Sequence, residues 1–353
     1  MAGAVVDEPM RGRHMPAELL GLSGVEQLRL LATRPGLKPP IGHLLGMSIT
    51  EVGQGSVTFT MPITDWLMTP QGIVTGGEVA MLADGPLGSV VHTMLPPGSG
   101  YTTTELSISM VRPVPRSGHL LARGSLVHGG RRLALSETDV MDDAGRLLAH
   151  GTSRCFVFPP HEAPPPPEDL ELPGDEALDG WTPPYRRPAP GSVLGPEVWS
   201  GRSGLEVFRA LISGELPQPP IHYLLGIMPV SADEGRAVFS MPASDWLTSP
   251  FGLVEGGIIA CLADLALGGA VQTTMSAGDA FAPTDLRVQF LRAVPPDGRR
   301  LTASASVLHR GRTVAVVRGE VVNSDGKMVA AASSTSVILP GLRADLSDLP
   351  HLG

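Results

Sequence analysis

Two short stretches of this chain combine residue types suited to chemistry. Gly76-Gly77 opens a helical pattern that reaches Leu82-Ala83-Asp84, and Gly256-Gly257 opens another that reaches Leu262-Ala263-Asp264. A helix that begins on glycine offers unpaired backbone amides and the positive end of its dipole, with no side chain to block close approach. Such a start suits an anion or a developing oxyanion. The plainer reading is that the glycines let the helix pack closely on its neighbours, and one copy alone leaves the two readings even. For Asp84 and Asp264 the plainer reading is a carboxylate on a partly exposed turn. Against it, each aspartate interrupts an apolar helix, where an unpaired carboxylate is costly. Both copies keep the acid, which favours a functional role.

The elements that must position these groups are also duplicated. Ser23-Gly-Val-Glu26 returns as Ser203-Gly-Leu-Glu206, Pro39-Pro-Ile41 as Pro219-Pro-Ile221, and Asp65-Trp66-Leu67 as Asp245-Trp246-Leu247, each 180 residues on. Beyond Arg112 and Arg292 the offset is 181, so His128 pairs with His309. Units of this length are too long for solenoid repeats and fit two fused domains of one fold, a covalent pseudo-dimer whose axial sites can use both halves. From Thr75 to Asp84 is about 13 Å along a helix and about 180° around it. Gly76 and Asp84 therefore cannot meet at one carbonyl. If the two central helices run antiparallel, Asp84 faces Gly256 and Asp264 faces Gly76, giving two composite sites.

Each unit starts with a capping-box helix, Ser23 with Glu26 or Ser203 with Glu206. A strand over Gly55–Met61 or Arg236–Met241 follows, then the Gly-Gly helix, then alternating strands at Thr104–Val111, His119–Val127, Arg132–Met141 and Leu147–Val157 with second-copy counterparts such as Thr284–Leu291. One central helix before an antiparallel meander predicts an α+β fold. The expected boundaries are a flexible tail at 1–22, domains at 23–158 and 201–340, a Pro-rich extended spacer at 159–200 and a tail at 341–353.

Composition narrows the function class. The chain has 353 residues, 42% of them hydrophobic, enough for two cores. A net charge of -9 with scattered basic residues argues against a nucleic-acid surface. Cys155 and Cys261 occupy non-equivalent repeat positions and read as free thiols. No apolar signal core or membrane-length run is present, so a soluble, cytoplasmic protein is expected.

The pattern Gly72-x-x-Thr-Gly-Gly-x-x-x-x-Leu-Ala-Asp84, its copy ending at Asp264, and the strands Thr104–Arg112 and Thr284–Arg292 resemble the hotdog-fold acyl-CoA thioesterases of the PaaI type, fused here as a double hotdog. The resemblance covers nearly all of 23–157 and 203–339. It implies a central helix wrapped by an antiparallel sheet in each half. It also implies that Asp84 and Asp264 are the bases or nucleophiles, with the Gly76 and Gly256 amides polarising the thioester carbonyl, beside Gly77 and Gly257. The family's His position holds Thr75 and Glu255, and its Asn position holds Thr69 and Ser249. A hydroxyl that holds water in some members matches Thr103 but meets Pro283 in the second copy. Asp84 with Thr103 would then face Glu255, a carboxylate pair whose repulsion raises one pKa. The two sites are expected to differ.

Arg131, Arg132 and Arg312, in turns after His128 and His309, can grip coenzyme A phosphates, although surface turn arginines are the commoner case. Trp66 and Trp246 can line an acyl pocket or serve packing. No metal or redox cofactor is implied. The expected activity is hydrolysis of an acyl-CoA, with a non-catalytic acyl-CoA or acyl-carrier binding module as the rival; a hotdog hydratase fits less well because its Asp and His motif is missing. A homo-oligomer, most simply a dimer of the fused chain, is expected to cover the outer face of the sheet.

Overall fold

In the computed structural model, which describes residues 3–174 and 180–341, both halves build the same α+β unit. The first half runs α1 (Gly24–Thr33), α2 (Pro40–Leu45), β1 (Ser48–Gly53), β2 (Ser56–Ile63), α3 (Gly76–His92), β3 (Tyr101–Met110), β4 (Gly118–Gly129), β5 (Leu133–Met141) and β6 (Leu147–Val157). The second runs α4 (Pro196–Gly201), α5 (Gly204–Ser213), α6 (Pro220–Leu225), β7 (Met228–Asp233), β8 (Arg236–Pro242), α7 (Gly256–Gln272), β9 (Ala280–Pro283), β10 (Asp285–Phe290), β11 (Arg300–Arg310), β12 (Val314–Val322) and β13 (Met328–Leu339).

The strands form one antiparallel sheet of 13, in the order β1-β2-β4-β5-β6-β3-β10-β13-β12-β11-β8-β7 with β9 beside β13. The halves join edge to edge at β3 and β10, where Leu106 pairs with Val288 and Ile108 with Leu286. Both central helices are buried almost all round and belong to a single apolar core shared by the two halves. An element that is apolar on every face must be covered on every face, and here each helix is covered by the sheet and by the other helix.

Several elements depart from the sequence-based expectation. Strands β1 and β7 and helices α2 and α6 were not foreseen. Strands β1 and β7 lie at the sheet edges and are mostly solvent-facing, so they carry no alternation to read. The strand expected at Thr284–Leu291 is β10, and a short unforeseen strand, β9, precedes it and ends at Pro283, which has no amide for the ladder.

Residues 1–22 were expected as a flexible tail and 159–200 as an extended spacer; the described parts of both instead pack as matching arms. Val5 and Val6 are buried, Trp246 Nε1 donates to Glu8 O at 2.9 Å, and Met15 N donates to Pro250 O at 2.8 Å. In the other arm Trp66 Nε1 donates to Arg187 O at 2.9 Å and Leu194 N donates to Pro70 O at 2.9 Å. Each arm thus crosses onto the opposite half, and Arg187 and Glu8 meet in a two-pronged ion pair at 2.7 and 2.8 Å. The repeat extends into these arms, hidden because a few apolar anchors in Pro/Gly-rich sequence show no periodicity. Within the second arm Trp181 stacks on Trp246. The tail expected at 341–353 lies outside the described residues beyond Gly341. Among the described residues no helix is long and apolar enough to cross a membrane.

Candidate active site

Helices α3 and α7 pack antiparallel, and each delivers its aspartate to the other's first turn. Asp264 Oδ2 accepts hydrogen bonds from Gly77 N at 2.8 Å and from Thr75 Oγ1 at 2.7 Å. Asp84 Oδ2 accepts from Gly257 N at 2.8 Å. Both acids are buried, which raises their pKa against the lowering effect of these donors; Asp84 is pushed up to about 6.

The two glycines of the first pair do different things, whereas in the second pair both the Gly256 and the Gly257 amides act on Asp84. A Cβ on Gly257 would lie 2.5 Å from Ala80 O, and one on Gly77 would lie 3.0 Å from the Cys261 Cα. The second glycine therefore lets the helices touch while its amide holds the opposite acid. Gly77 and Gly257, expected to contact substrate, are spent on the aspartates. A Cβ on Gly76 would meet Leu286 Cβ at 3.6 Å and both Asp264 carboxylate oxygens at 4.0 Å, ordinary contacts, so the first glycine is buried without a clash beside the Asp264 carboxylate.

In the Asp264 site a further carboxylate stands where sequence reasoning placed none. Glu78 is fully buried, and its Oε2 lies 2.6 Å from Thr75 N and 2.7 Å from Thr75 Oγ1. Burial, then the charge of Asp264, push it up to about 7. The Thr75 hydroxyl thus touches two carboxylates but has one proton to give. One of the acids must be protonated, and Glu78, with its pKa near 7, is the better holder. Thr75 and Glu78 have the spacing of a capping box, the sequence signal that could have flagged the pair.

The Asp84 site is built differently. Glu255 lies beside Asp84 as expected, but it caps no helix amide through its side chain, and its buried Oε2 has no hydrogen-bond partner. Burial first, then Asp84, hold its carboxyl well above the usual range. The Thr103 hydroxyl does not reach Asp84: it sits 3.9 Å from Cys155 Sγ, whose thiol is pushed up to about 11, chiefly by burial. Tyr101 closes this side, its hydroxyl 2.4 Å from where a Cβ on Gly88 would lie.

An apolar slot of about 80 Å3 opens onto Asp264 and Thr75, walled by Ile73, Trp199, Phe208, Phe239, Leu265 and Phe281. Gln71 and Gln272 join across it by a 3.0 Å hydrogen bond. At the Asp84 site the counterparts of this pair are Phe251 and His92, whose rings lie 5.2 Å apart, with Tyr101 against the same histidine. Burial pushes His92 down to about 4, so it is neutral. Thr69 lines the slot, but its hydroxyl donates to Ile73 O at 2.9 Å and so shapes the turn; the Ser249 hydroxyl shapes the matching turn by accepting from Phe251 N at 3.3 Å. Trp66 and Trp246 are buried packing residues held by the arms. Arg131, Arg132 and Arg312 stand exposed in the β4–β5 and β11–β12 turns, at the same end of the sheet as Tyr101 and Pro283 respectively.

Comparison with known proteins matches the segments that contain both central helices. The thioesterase superfamily model matches residues 71–149 and 251–330, one match for each Gly-Gly helix and the strands after it. Acyl-coenzyme A thioesterase PaaI of Escherichia coli is 37% identical over 106 residues, 30% of this chain and 73% of that protein. The chain belongs to the thioesterase superfamily. The medium/long-chain acyl-CoA thioesterase YigI of Salmonella typhimurium is 32% identical over 111 residues, covering 28% of this chain and 68% of that protein. The solved structure of the tesB protein of Mycobacterium avium subsp. paratuberculosis matches 85% of this chain and 98% of its own at 14% identity and a TM-score of 0.52, a likeness of the tandem hotdog fold alone. As a thioesterase superfamily member the chain is a thioester hydrolase with two hotdog units.

Proposed function

We propose that the chain hydrolyses acyl-CoA thioesters at the composite site of Asp264. The observation that carries this reading is the apolar slot whose wall includes Asp264 and Thr75, the residue that caps the first turn of α3. In this reading the acyl chain lies in the slot and the Gly76 amide faces the thioester oxygen. Asp264 Oδ2 is fixed by Gly77 and Thr75, which leaves Oδ1 to take a proton from water. Water attacks the carbonyl carbon, the C–S bond breaks, and the proton returns to the departing thiolate, giving a free acid and a thiol. A carboxylate whose pKa is raised by burial is the stronger base. Thr75, bridging Asp264 and Glu78, fixes the orientation of the base and links it to a second acid that can share the proton.

The Asp84 site keeps an acid and helix amides, but Glu255 replaces the bridging hydroxyl and Phe251 with His92 replaces the glutamine pair. We take it to be the silent member. Asp264→Asn should lower kcat/KM on an acyl-CoA by on the order of a hundredfold or more, and Asp84→Asn by far less. Small, equal losses from both single variants, with the double variant still active, would remove these acids from the mechanism.

A further inference from the structure

One polar atom of the apolar slot has no part in the hydrolytic chemistry. His222, on α6, lines the slot, and its buried Nε2 has no hydrogen-bond partner among the described residues. A buried polar atom in that state is costly until a partner arrives. Nδ1 lies 2.8 Å from Gln218 Oε1, and Gln218 is itself oriented by its Nε2, which donates to Leu211 O at 2.6 Å. Nδ1 therefore carries the proton, since an amide oxygen only accepts. Burial pushes the imidazole down to about 3, so the ring is neutral and Nε2 offers a lone pair. Whatever completes it must be a donor.

Gln218 holds the Nδ1 side of the ring, which leaves the Nε2 edge for the slot. The rings around it are apolar: Phe239 stands edge-on to His222 at 5.8 Å, and Phe208 lies 5.3 Å from Phe239. A trapped water needs two to four polar partners, and these side chains supply none. Both phenylalanines face α7 at Gly269, where a Cβ would lie 2.8 Å from Phe208 Cε2 and 3.0 Å from Phe239 Cε2. Gly269 is five residues beyond Asp264, about 7.5 Å along the helix. A fully extended chain advances about 1.2 Å per bond, so the acceptor stands about six bonds from a carbonyl held at Asp264. A dry cavity of about 150 Å3 takes one benzene ring. The slot, at about 80 Å3, suits a straight chain instead. In the first half Gly42 stands at the place of His222 and Lys38 at that of Gln218. A Cβ on Gly42 would lie 3.1 Å from Lys38 Cε, so the lysine stem covers that spot.

We infer that the slot selects a straight-chain acyl group bearing a hydroxyl about six bonds from its carbonyl carbon, and that His222 Nε2 accepts a hydrogen bond from that hydroxyl. This rests on the hydrolytic reading above and adds to it a substrate class and the residue that sets it. His222 is a specificity residue here and takes no part in the chemical step.

The test compares hexanoyl-CoA with 6-hydroxyhexanoyl-CoA and 3-hydroxyhexanoyl-CoA. The wild type should favour the 6-hydroxy thioester over the plain one in kcat/KM by on the order of three- to tenfold, and should not favour the 3-hydroxy one. His222→Phe with Gln218→Met removes both partners, so no polar atom is orphaned. It should lower the 6-hydroxy preference by on the order of tenfold or more, reversing it, because the hydroxyl would then be buried unpaired. His222→Gln keeps a donor for Gln218 and an acceptor for the ligand, and should retain part of the preference. Calorimetry uses ketone analogues of the plain and 6-hydroxy thioesters, in which a methylene between sulfur and carbonyl prevents hydrolysis. The wild type should bind the hydroxylated analogue more tightly. That result stands even if no thioester is turned over, which would sink the hydrolytic reading instead. The inference is overturned if the wild type shows no preference for the 6-hydroxy chain in either assay, or if the preference survives in the double variant. An equal preference for the 3-hydroxy chain would overturn the assigned position, and a stronger one for a hydroxyphenylacetyl group would overturn the straight-chain assignment.

Discussion

Glu78→Gln isolates the buried acid of the Asp264 site. Glutamine keeps the shape, can accept the Thr75 amide and can donate to the Thr75 hydroxyl, but it cannot ionise. A rise in the Glu78 pKa from 4.5 to about 7, at about 1.4 kcal/mol per unit, corresponds to about 3 kcal/mol of stability that depends on pH. Because the folded-state pKa is raised, this stability is fully present below pH 4.5 and is lost as pH rises through about 7. The wild type should therefore lose about 2.5 kcal/mol more than Glu78→Gln between pH 5 and pH 8.5, since part of the loss has already occurred by pH 5. Relief of Asp264 from a like charge acts in the same direction. Urea unfolding of the full chain at half-unit pH steps measures the difference directly. The same variant should shift the alkaline limb of the kcat/KM profile, since the Thr75 proton would no longer be contested. Parallel stability curves for the two proteins over this range would refute the argument that Glu78 is ionised at a cost.

Gly257→Ala and Gly77→Ala should destabilise the chain by about 1–3 kcal/mol or more, because the new methyl meets the backbone of the opposing helix, whereas Gly76→Ala should fold normally; thermal melts compare the three. Phe251→Gln with His92→Gln copies the glutamine pair of the Asp264 site into the Asp84 site. If the aromatic pair is what closes that site, the double variant in an Asp264→Asn background should regain measurable acyl-CoA hydrolysis, and no gain would place the block at Glu255 instead. Light scattering should return a mass above that of one chain, since Val127, Met228, Leu291 and Leu308 remain more than half exposed; a monomer at micromolar concentration would count against a dimer of the fused chain.

The duplication, the central helices and the exchange of acids between halves were all legible in the sequence. A helix has a fixed rise and rotation, so Gly76 and Asp84 could be excluded from one site, and an antiparallel partner was the remaining way to use both. What the sequence could not show is which polar atoms compete at short range. Thr75 and Glu78 carry a capping signature, but that Glu78 turns inward against Asp264 depends on how closely Gly77 lets α7 approach. The division of labour between the two glycines is likewise a matter of distances across a helix pair. The arms were misread because two valines, a leucine and a few tryptophans spread through Pro/Gly-rich chain have no period, and only their burial on the opposite half gives them order. The slot at Asp264 and the aromatic pair at Asp84 join residues far apart in sequence, brought together by the pseudo-twofold packing of the two halves.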